Sequence, residues 1–162
     1  MPQPFNQDSI LPRKRIQTPC IGHCSTTIGD LVCKGCKRFA HEVTDWNRYS
    51  DREKHFVMMR ISNFMEEAVV RYIRVVDEDK LLNTMKTCGF RYRVEQSAPC
   101  WAYDFLRQTQ GKIRRLSDVG LHCEQGFESF TNEILWKKVH NDFLIKSEAH
   151  FDRYFRQTLS FD

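Results

Sequence analysis

Glycine and proline are scarce in this chain, whose 162 residues include 7 glycines and 5 prolines. The glycine-rich motifs that bind nucleotide phosphates, G-x-G-x-x-G and G-x-x-x-x-G-K-[ST], do not occur, nor does the nucleophile motif G-x-S-x-G. The zinc-protease motif H-E-x-x-H is also missing. No nucleophile, general base or open metal position stands out, so we expect a protein that is not an enzyme and has no catalytic residues or small-molecule substrate.

Long apolar runs are lacking as well. A helix that spans a bilayer needs about 20 apolar residues, whereas the run Ala68–Val70 is followed within a turn by Arg71 and Arg74. Residues 1–8 lack the basic and apolar regions of a secretory signal. The sequence therefore predicts a cytoplasmic protein that does not contact a membrane.

The residues that are abundant predict a folded chain of ordinary size. Hydrophobic residues make up 41% and charged residues 28%, enough apolar material for a core. Seven cysteines in a reducing compartment do not predict a disulfide framework, because such bridges are rare there and the number is odd. We expect an α+β fold that is mostly α-helical, in which a small four-cysteine metal-knuckle module precedes a helical domain with one or two short strands.

Three segments differ in composition. Residues 1–18 contain Pro2, Pro4, Pro12 and the basic run Arg13-Lys14-Arg15, and they are expected to form a flexible basic arm. Residues 19–50 hold four closely spaced cysteines and are called the cysteine module here. Residues 51–162 are predicted to form a helix-rich α+β domain, called the helical domain.

Apolar periodicity and caps predict the first helices. Phe39, Val43 and Trp46 recur at helical spacing in the cysteine module. The sequence Ser-Asp-Arg-Glu at 50–53 matches a capping box, in which the serine and glutamate side chains bind free N–H groups at a helix start. A helix is therefore expected over about 51–65.

The remaining elements are predicted from the same criteria. Helices are expected over 77–87, ended by Gly89, over 99–109 after Pro99, and from Phe127 onward as one long helix or two with a break at Ser147. Strands are expected over 91–95 and within 113–123, and the segment 68–76 fits either a helix or a strand.

The sharpest chemical signal is a set of four cysteines, Cys20, Cys24, Cys33 and Cys36, arranged as two close pairs separated by a short loop. Such spacing can bring four thiolates to one tetrahedral metal ion. We predict structural Zn²⁺, because four sulfurs leave no open coordination position. An iron–sulfur centre remains the alternative, since it accepts the same ligands.

The other candidate ligands are less favoured. His23 and His41 could replace a cysteine but are expected to be neighbours of the site, because four sulfurs complete the tetrahedron. Cys88, Cys100 and Cys123 follow no ligand spacing and are expected to be core thiols.

Positive charge is concentrated near the cysteines. Residues 1–50 carry seven lysines and arginines against four acidic residues, whereas the rest of the chain is almost neutral. Positive neighbours favour thiolate over thiol. Six basic residues near the cysteines are therefore predicted to contact a polyanion or an acidic protein surface: Arg13, Lys14, Arg15, Lys34, Lys37 and Arg38.

The cysteine module also carries a family pattern. Residues 18–24 read Thr-Pro-Cys-Ile-Gly-His-Cys, residues 30–38 read Asp-Leu-Val-Cys-Lys-Gly-Cys-Lys-Arg, and Glu42, Trp46 and Ser50-Asp51 follow. This stretch, about residues 17–55, resembles the bacterial domain-of-unknown-function family 1289, with its pattern P-C-I-x-x-C, a short loop, C-x-G-C-x-R, E-I, a tryptophan and S-D. The family is labelled as predicted iron–sulfur proteins, so the resemblance implies a metal centre at the four cysteines.

Small four-cysteine modules recur in the machinery of transcription and translation. By that analogy the sequence predicts a non-enzymatic zinc-binding accessory factor of the transcription apparatus, which docks on RNA polymerase or a nucleic-acid–protein complex through the basic module. Contact with a nucleic-acid backbone fits the charge, but no recognition helix for specific DNA is present. The alternative is an iron–sulfur redox or electron-transfer protein that uses the same four cysteines.

Overall fold

The computed structural model describes residues 15–157, and within them the fold is mostly α-helical with one small sheet. This confirms the predicted class. None of the helices among these residues is long and apolar enough to cross a membrane. The elements in chain order are α1 (Ala40–Asp45), α2 (Asp51–Val70), β1 (Ile73–Val75), α3 (Glu78–Thr87), α4 (Ala98–Thr109), β2 (Leu121–Cys123) and α5 (Asn132–Tyr154).

The predicted capping box does begin α2. The backbone N–H of Glu53 donates to Ser50 Oγ at 3.3 Å, and the Glu53 carboxylate accepts from the backbone N–H of Ser50 at 2.7 Å. The helix runs to Val70, beyond the predicted end, because its buried stripe continues through Met65 and Ala68. Helix α2 packs against α4 and α5, and the three helices enclose the main core.

The sheet consists of two short antiparallel strands, with Ile73 opposite Cys123 and Val75 opposite Leu121. The segment 68–76, which fitted either a helix or a strand, contains the end of α2 and then β1. The strand expected within 113–123 is confined to its last three residues. Helices α3 and α4 match their predictions, and Gly89 follows α3 with a positive φ of 65°.

The strand predicted over 91–95 is wrong, because this segment is an irregular loop. The side chain of Gln108 on α4 accepts from the Arg91 N–H at 2.9 Å and donates to the Arg91 carbonyl at 2.8 Å. The Arg93 carbonyl accepts from Trp101 Nε1 at 2.8 Å. Side chains of α4 thus satisfy backbone groups that a neighbouring strand would otherwise pair.

The C-terminal periodic segment forms one helix, α5, from Asn132 to Tyr154. Thr131 caps it by accepting from the Ile134 N–H. Ser147 does not break the helix, since its buried hydroxyl donates to the Phe143 carbonyl at 2.8 Å, one turn earlier. Helix α5 also reaches the cysteine module, where Phe151 packs edge-on against the fully buried ring of Phe39 at 5.2 Å.

Candidate metal centre

Cys33 and Cys36 lie on a tight backbone reversal. The Cys33 N–H donates to the Arg38 carbonyl and the Lys37 N–H donates to the Cys33 carbonyl, both at 2.9 Å. Lys37 adopts a left-handed conformation, with φ of 63°, which costs a non-glycine residue about 1–2 kcal/mol. The contacts of its side chain, described below, hold it in this conformation. We call residues 33–38 the knuckle.

The segment that carries Cys20 and Cys24 packs directly on the knuckle. A Cβ on Gly35 would collide with the carbonyl oxygen of His23, so only glycine fits there. The Lys34 N–H donates to Ser25 Oγ at 2.8 Å, and Cys33 Sγ lies 3.7 Å from the His23 carbonyl oxygen. The two cysteine-bearing segments are therefore in contact through their backbones.

The pKa values of the two knuckle thiols shift in opposite directions. A hydrogen bond from the Cys36 thiol lowers the pKa of Cys33 far below its ordinary value, although burial opposes this. Backbone N–H groups of Cys36, Ser25 and Gly35 add to the lowering. The same shared bond, followed by burial, raises the pKa of Cys36, while Arg38 opposes it through Nε, 3.4 Å from the sulfur. Convergent N–H donors of this kind favour a thiolate.

Lys37 is fully buried beside these sulfurs. Its Nζ donates to the carbonyls of Lys34 at 2.7 Å and Gly35 at 3.1 Å, and to the Tyr103 hydroxyl at 3.2 Å. It also lies 4.7 Å from the ring centre of Phe143. Burial lowers the Lys37 pKa to about 8, while Cys36 and Cys33 hold it up.

Arg38 is a second buried cation, with its guanidinium 5.0 Å from the ring centre of Trp46. Neither Arg38 nor Lys37 forms an ion pair with any carboxylate within residues 15–157. Buried charges need a counter-charge. Cys36 Sγ lies 3.4 Å from Arg38 Nε, and negative charge on Cys36 and Cys33 would favour the charged form of Lys37.

The structure brings together one pair of the four predicted ligands. Cys33 and Cys36 are adjacent and buried, whereas Cys20 is exposed and Cys24 is half-buried with its sulfur 3.0 Å from Thr26 Oγ1. In the described part of the chain, no three His, Cys, Asp or Glu side chains are close enough to hold a metal ion. The donors around the knuckle pair fit a thiolate ligand set, but Cys20 and Cys24 are not gathered with that pair.

Burial changes the interpretation of the predicted basic contacts. Lys37 and Arg38 were expected to meet a partner, but both are buried and their charges face the knuckle, so the free protein does not present them at its surface. Lys34 is exposed and pairs with Asp30 at 3.3 Å, and Arg15 is exposed. Arg13 and Lys14, with most of the predicted arm, lie outside the described residues.

The two histidines near the cysteines contact neighbouring protein groups in this structure. His23 contributes its backbone carbonyl to the knuckle contact. The ring of His41 packs against Phe155 and Phe39, at 4.9 Å and 5.8 Å between centres. His41 of α1 thus belongs to an aromatic cluster that also contains Phe39, Phe151 and Phe155.

Two buried residues that contact the module were not predicted as site residues from the sequence. Tyr103 on α4 is buried, and its hydroxyl bonds to Lys37 and lies 3.0 Å from His140 Nδ1, while burial raises its pKa. Glu42 is also buried and accepts from both Arg60 and the Phe39 N–H. No sequence signal links position 37 to position 103, whereas Glu42 was found only as part of the family pattern.

Together these features define a small, mostly helical protein with an N-terminal cysteine knuckle seated on helices α4 and α5. Residues 18–65 match the family model described as "Protein of unknown function (DUF1289)". The match confirms the resemblance for the N-terminal part of the chain, which includes all four cysteines and Arg60 but not Tyr103. No curated protein and no solved structure matches the chain.

Proposed function

We propose that the protein is a non-enzymatic zinc-binding accessory factor whose four ligands are Cys20, Cys24, Cys33 and Cys36. The main support for the zinc proposal is the arrangement of charges at the knuckle. Four thiolates around Zn²⁺ leave a net charge of −2, and the two buried cations Lys37 and Arg38 offset it. A pair of neutral thiols would leave both cations uncompensated.

The metal would serve as a structural cross-link between the knuckle and the segment 20–24. That segment already packs on Gly35 and bonds to Lys34 through Ser25. Four cysteine ligands leave no open position for a reacting group, so this ion would contribute folding free energy and no catalytic step.

The proposed partner is the transcription apparatus in the cytoplasm, and the protein would bind RNA polymerase or a nucleic-acid–protein complex. The assignment rests on analogy with other small four-cysteine modules. Its support in the chain is exposed positive charge: Arg15, which follows the basic residues 13 and 14 of the sequence, and Lys34, which pairs with Asp30 at the surface. Contact with a phosphate backbone would use the same charges.

Metal analysis of the protein purified without oxygen tests whether the four cysteines bind zinc. Zinc near one equivalent per chain, with no visible absorbance and no acid-labile sulfide, is expected. Cys33→Ser should lose the metal, whereas Cys88→Ser, which alters an exposed cysteine outside the site, should keep it. Iron with acid-labile sulfide would overturn the zinc proposal and favour the iron–sulfur redox protein. Zinc retained by Cys33→Ser would overturn the ligand assignment.

Lys37→Met tests the charge argument directly. Removing the buried ammonium should weaken zinc binding by about tenfold, because the thiolates lose a charge-assisted neighbour. Lys34→Met is the matched control, since Lys34 is exposed and should leave zinc affinity unchanged. Equal affinities in the two variants would contradict the proposed charge balance.

Affinity purification of the full chain tests the partner. RNA polymerase subunits should co-purify, and simultaneous Arg13→Glu, Lys14→Glu and Arg15→Glu should reduce their yield without altering the melting temperature. Polymerase absent from the wild-type eluate would overturn the partner assignment. Polymerase retained by the charge-reversed variant would show that these three residues are not the contact.

A further inference from the structure

A cavity of about 640 Å³ lies between the cysteine module and the helical domain. Its walls come from residues 17–21, the knuckle, α2, the loop 90–96 and α4. Pockets for small molecules commonly measure about 300–1,000 Å³. The cavity is therefore large enough to enclose a small organic molecule.

Cations dominate the charged groups of this cavity. Among the described residues that line it, Arg91, Arg93 and Arg107 are opposed by the carboxylate of Asp104, and Glu95, outside the lining, lies 4.0 Å from Arg93 Nη1. The side chains of Arg93 and Arg107 are 24% and 21% exposed, so solvent screens them less than surface arginines. Arg107 Nη2 meets Asp104 at a long 3.4 Å, and Arg93 Nη2 donates to the Thr18 carbonyl at 2.8 Å.

Two buried polar atoms of cavity residues have no hydrogen-bond partner within residues 15–157. They are the donor Nε of Arg107 and the acceptor Oε1 of Gln96. Buried polar groups in folded proteins are nearly always paired, and each one left unpaired costs about 1–3 kcal/mol. Both atoms have almost no accessible surface, so a ligand would reach them only after rotation of the Arg107 or Gln96 side chain.

The cavity lining also includes apolar side chains. Met58 and Ile61 of α2 lie there together with Phe90 and the ring of Tyr92. A fully hydrated inorganic ion would leave this surface without a partner, whereas a molecule with an apolar body would cover it.

We propose that this cavity binds a small organic anion with an apolar body. A carboxylate or phosphate of the ligand pairs with Arg107 and Arg93, because guanidinium groups match both anions in a two-point geometry. The apolar body of the ligand rests on the α2 side of the cavity, which includes Met58 and Ile61. Cys20 and Cys36, two of the proposed zinc ligands, also line the cavity. Probe binding is therefore measured on the metal-free chain, so that its outcome is separate from that of the zinc proposal.

The test uses the full chain and the fluorescent anion 8-anilinonaphthalene-1-sulfonate as the probe. Octanoate, octyl phosphate and neutral octanol then compete for the bound probe. At least one of the two anions should displace it at about one tenth of the octanol concentration, and the stronger competitor identifies carboxylate or phosphate as the preferred group. Octanol competing as well as both anions would overturn the proposal.

Variants locate the bound probe. Arg107→Gln should weaken probe binding by about tenfold, while Arg48→Gln, which alters an exposed arginine, should not. Met58→Trp should fill the cavity from the α2 wall and abolish binding without changing charge, which keeps the test decisive if Arg107→Gln fails to fold. Unchanged binding in Met58→Trp, or equal binding in the two arginine variants, would overturn the assignment.

Discussion

The cysteine module and the helical domain are stabilised by different interactions. The helical domain encloses a continuous apolar core between α2, α4 and α5. The module has a small apolar cluster of Val32 and Phe39, which Phe151 of α5 completes. Three of its other buried residues carry charged side chains: Lys37, Arg38 and Glu42.

This difference implies different sensitivities. Apolar burial in the helical domain is insensitive to charge and to metal. In the module, each buried charge depends on one or two specific partners, so removing a partner leaves a desolvated charge behind. Module stability should therefore follow the state of its charged groups, and helical-domain stability should follow its packing.

The largest expected effect comes from Arg60→Leu, because Arg60 of α2 pairs with the buried Glu42 of the module. Arg60 Nη2 donates to Glu42 at 2.7 Å, and its guanidinium lies 3.9 Å from the ring centre of Phe39. Without it the Glu42 carboxylate, 5% exposed, would keep one backbone donor. The unfolding free energy should fall by about 3–5 kcal/mol in chemical denaturation.

The control for this variant is Arg48→Leu, which breaks the pair with Asp45 on the protein surface. The Arg48 side chain is 86% exposed, so this change should cost less than about 1 kcal/mol. Similar losses in Arg60→Leu and Arg48→Leu would show that buried charge does not set the stability of the module.

Leu106→Ala measures how much apolar packing stabilises the helical domain, for comparison with the module. Leu106 on α4 is completely buried in the main core, so its truncation should leave a cavity and lower the unfolding free energy by about 2–5 kcal/mol. The loss should be the same with and without a metal chelator. The matched change at an exposed position, Ile145→Ala, should be nearly neutral. A chelator-dependent loss in Leu106→Ala would contradict the separation between the two regions.

Tyr103→Phe tests the link between the regions. The Tyr103 hydroxyl joins Lys37 of the module to His140 of α5. Its removal leaves the buried Lys37 ammonium with two acceptors, the carbonyls of Lys34 and Gly35. We expect a loss of about 1 kcal/mol in denaturation. Tyr154→Phe, at an exposed ring, is the control, and equal effects would show that the link contributes nothing.

Sequence reasoning succeeded where the signal is local. The capping box at residues 50–53 and the apolar stripe that follows predict α2, and Gly89 predicts the end of α3. Two of the four closely spaced cysteines, Cys33 and Cys36, lie together in the knuckle, whereas the set of four ligands stays a prediction. These signals lie within a few residues of the elements that they specify.

The predictions that were wrong depend on distant contacts. Alternation at 91–95 favoured a strand, but Gln108 of α4 satisfies the backbone of Arg91 in place of a neighbouring strand. The positive charge near the cysteines predicted that Lys37 contacts a partner, but its side chain is buried. Its burial follows from Tyr103 and Phe143, which lie far along the chain.

The smallest expected effect is the pH dependence carried by His140. Burial, with a smaller contribution from the charge of Lys37, lowers its pKa to about 4, against about 6.5 for an ordinary histidine. As pH falls from about 6.5 towards 4, the unfolded chain takes up a proton that the folded chain does not bind. Protonation therefore favours the unfolded state, and the folded protein loses stability over this range.

His140→Gln isolates that contribution. Glutamine stays neutral at every pH and retains an amide that can pair with the Tyr103 hydroxyl. The unfolding free energy of the wild type relative to this variant should therefore decrease as pH falls through the window. Asp104, whose pKa burial raises to about 6, titrates in both proteins and cancels in the difference. A difference that stays constant would mean that His140 is free to protonate in the folded state, and hence that the contact between α5 and the knuckle opens to water.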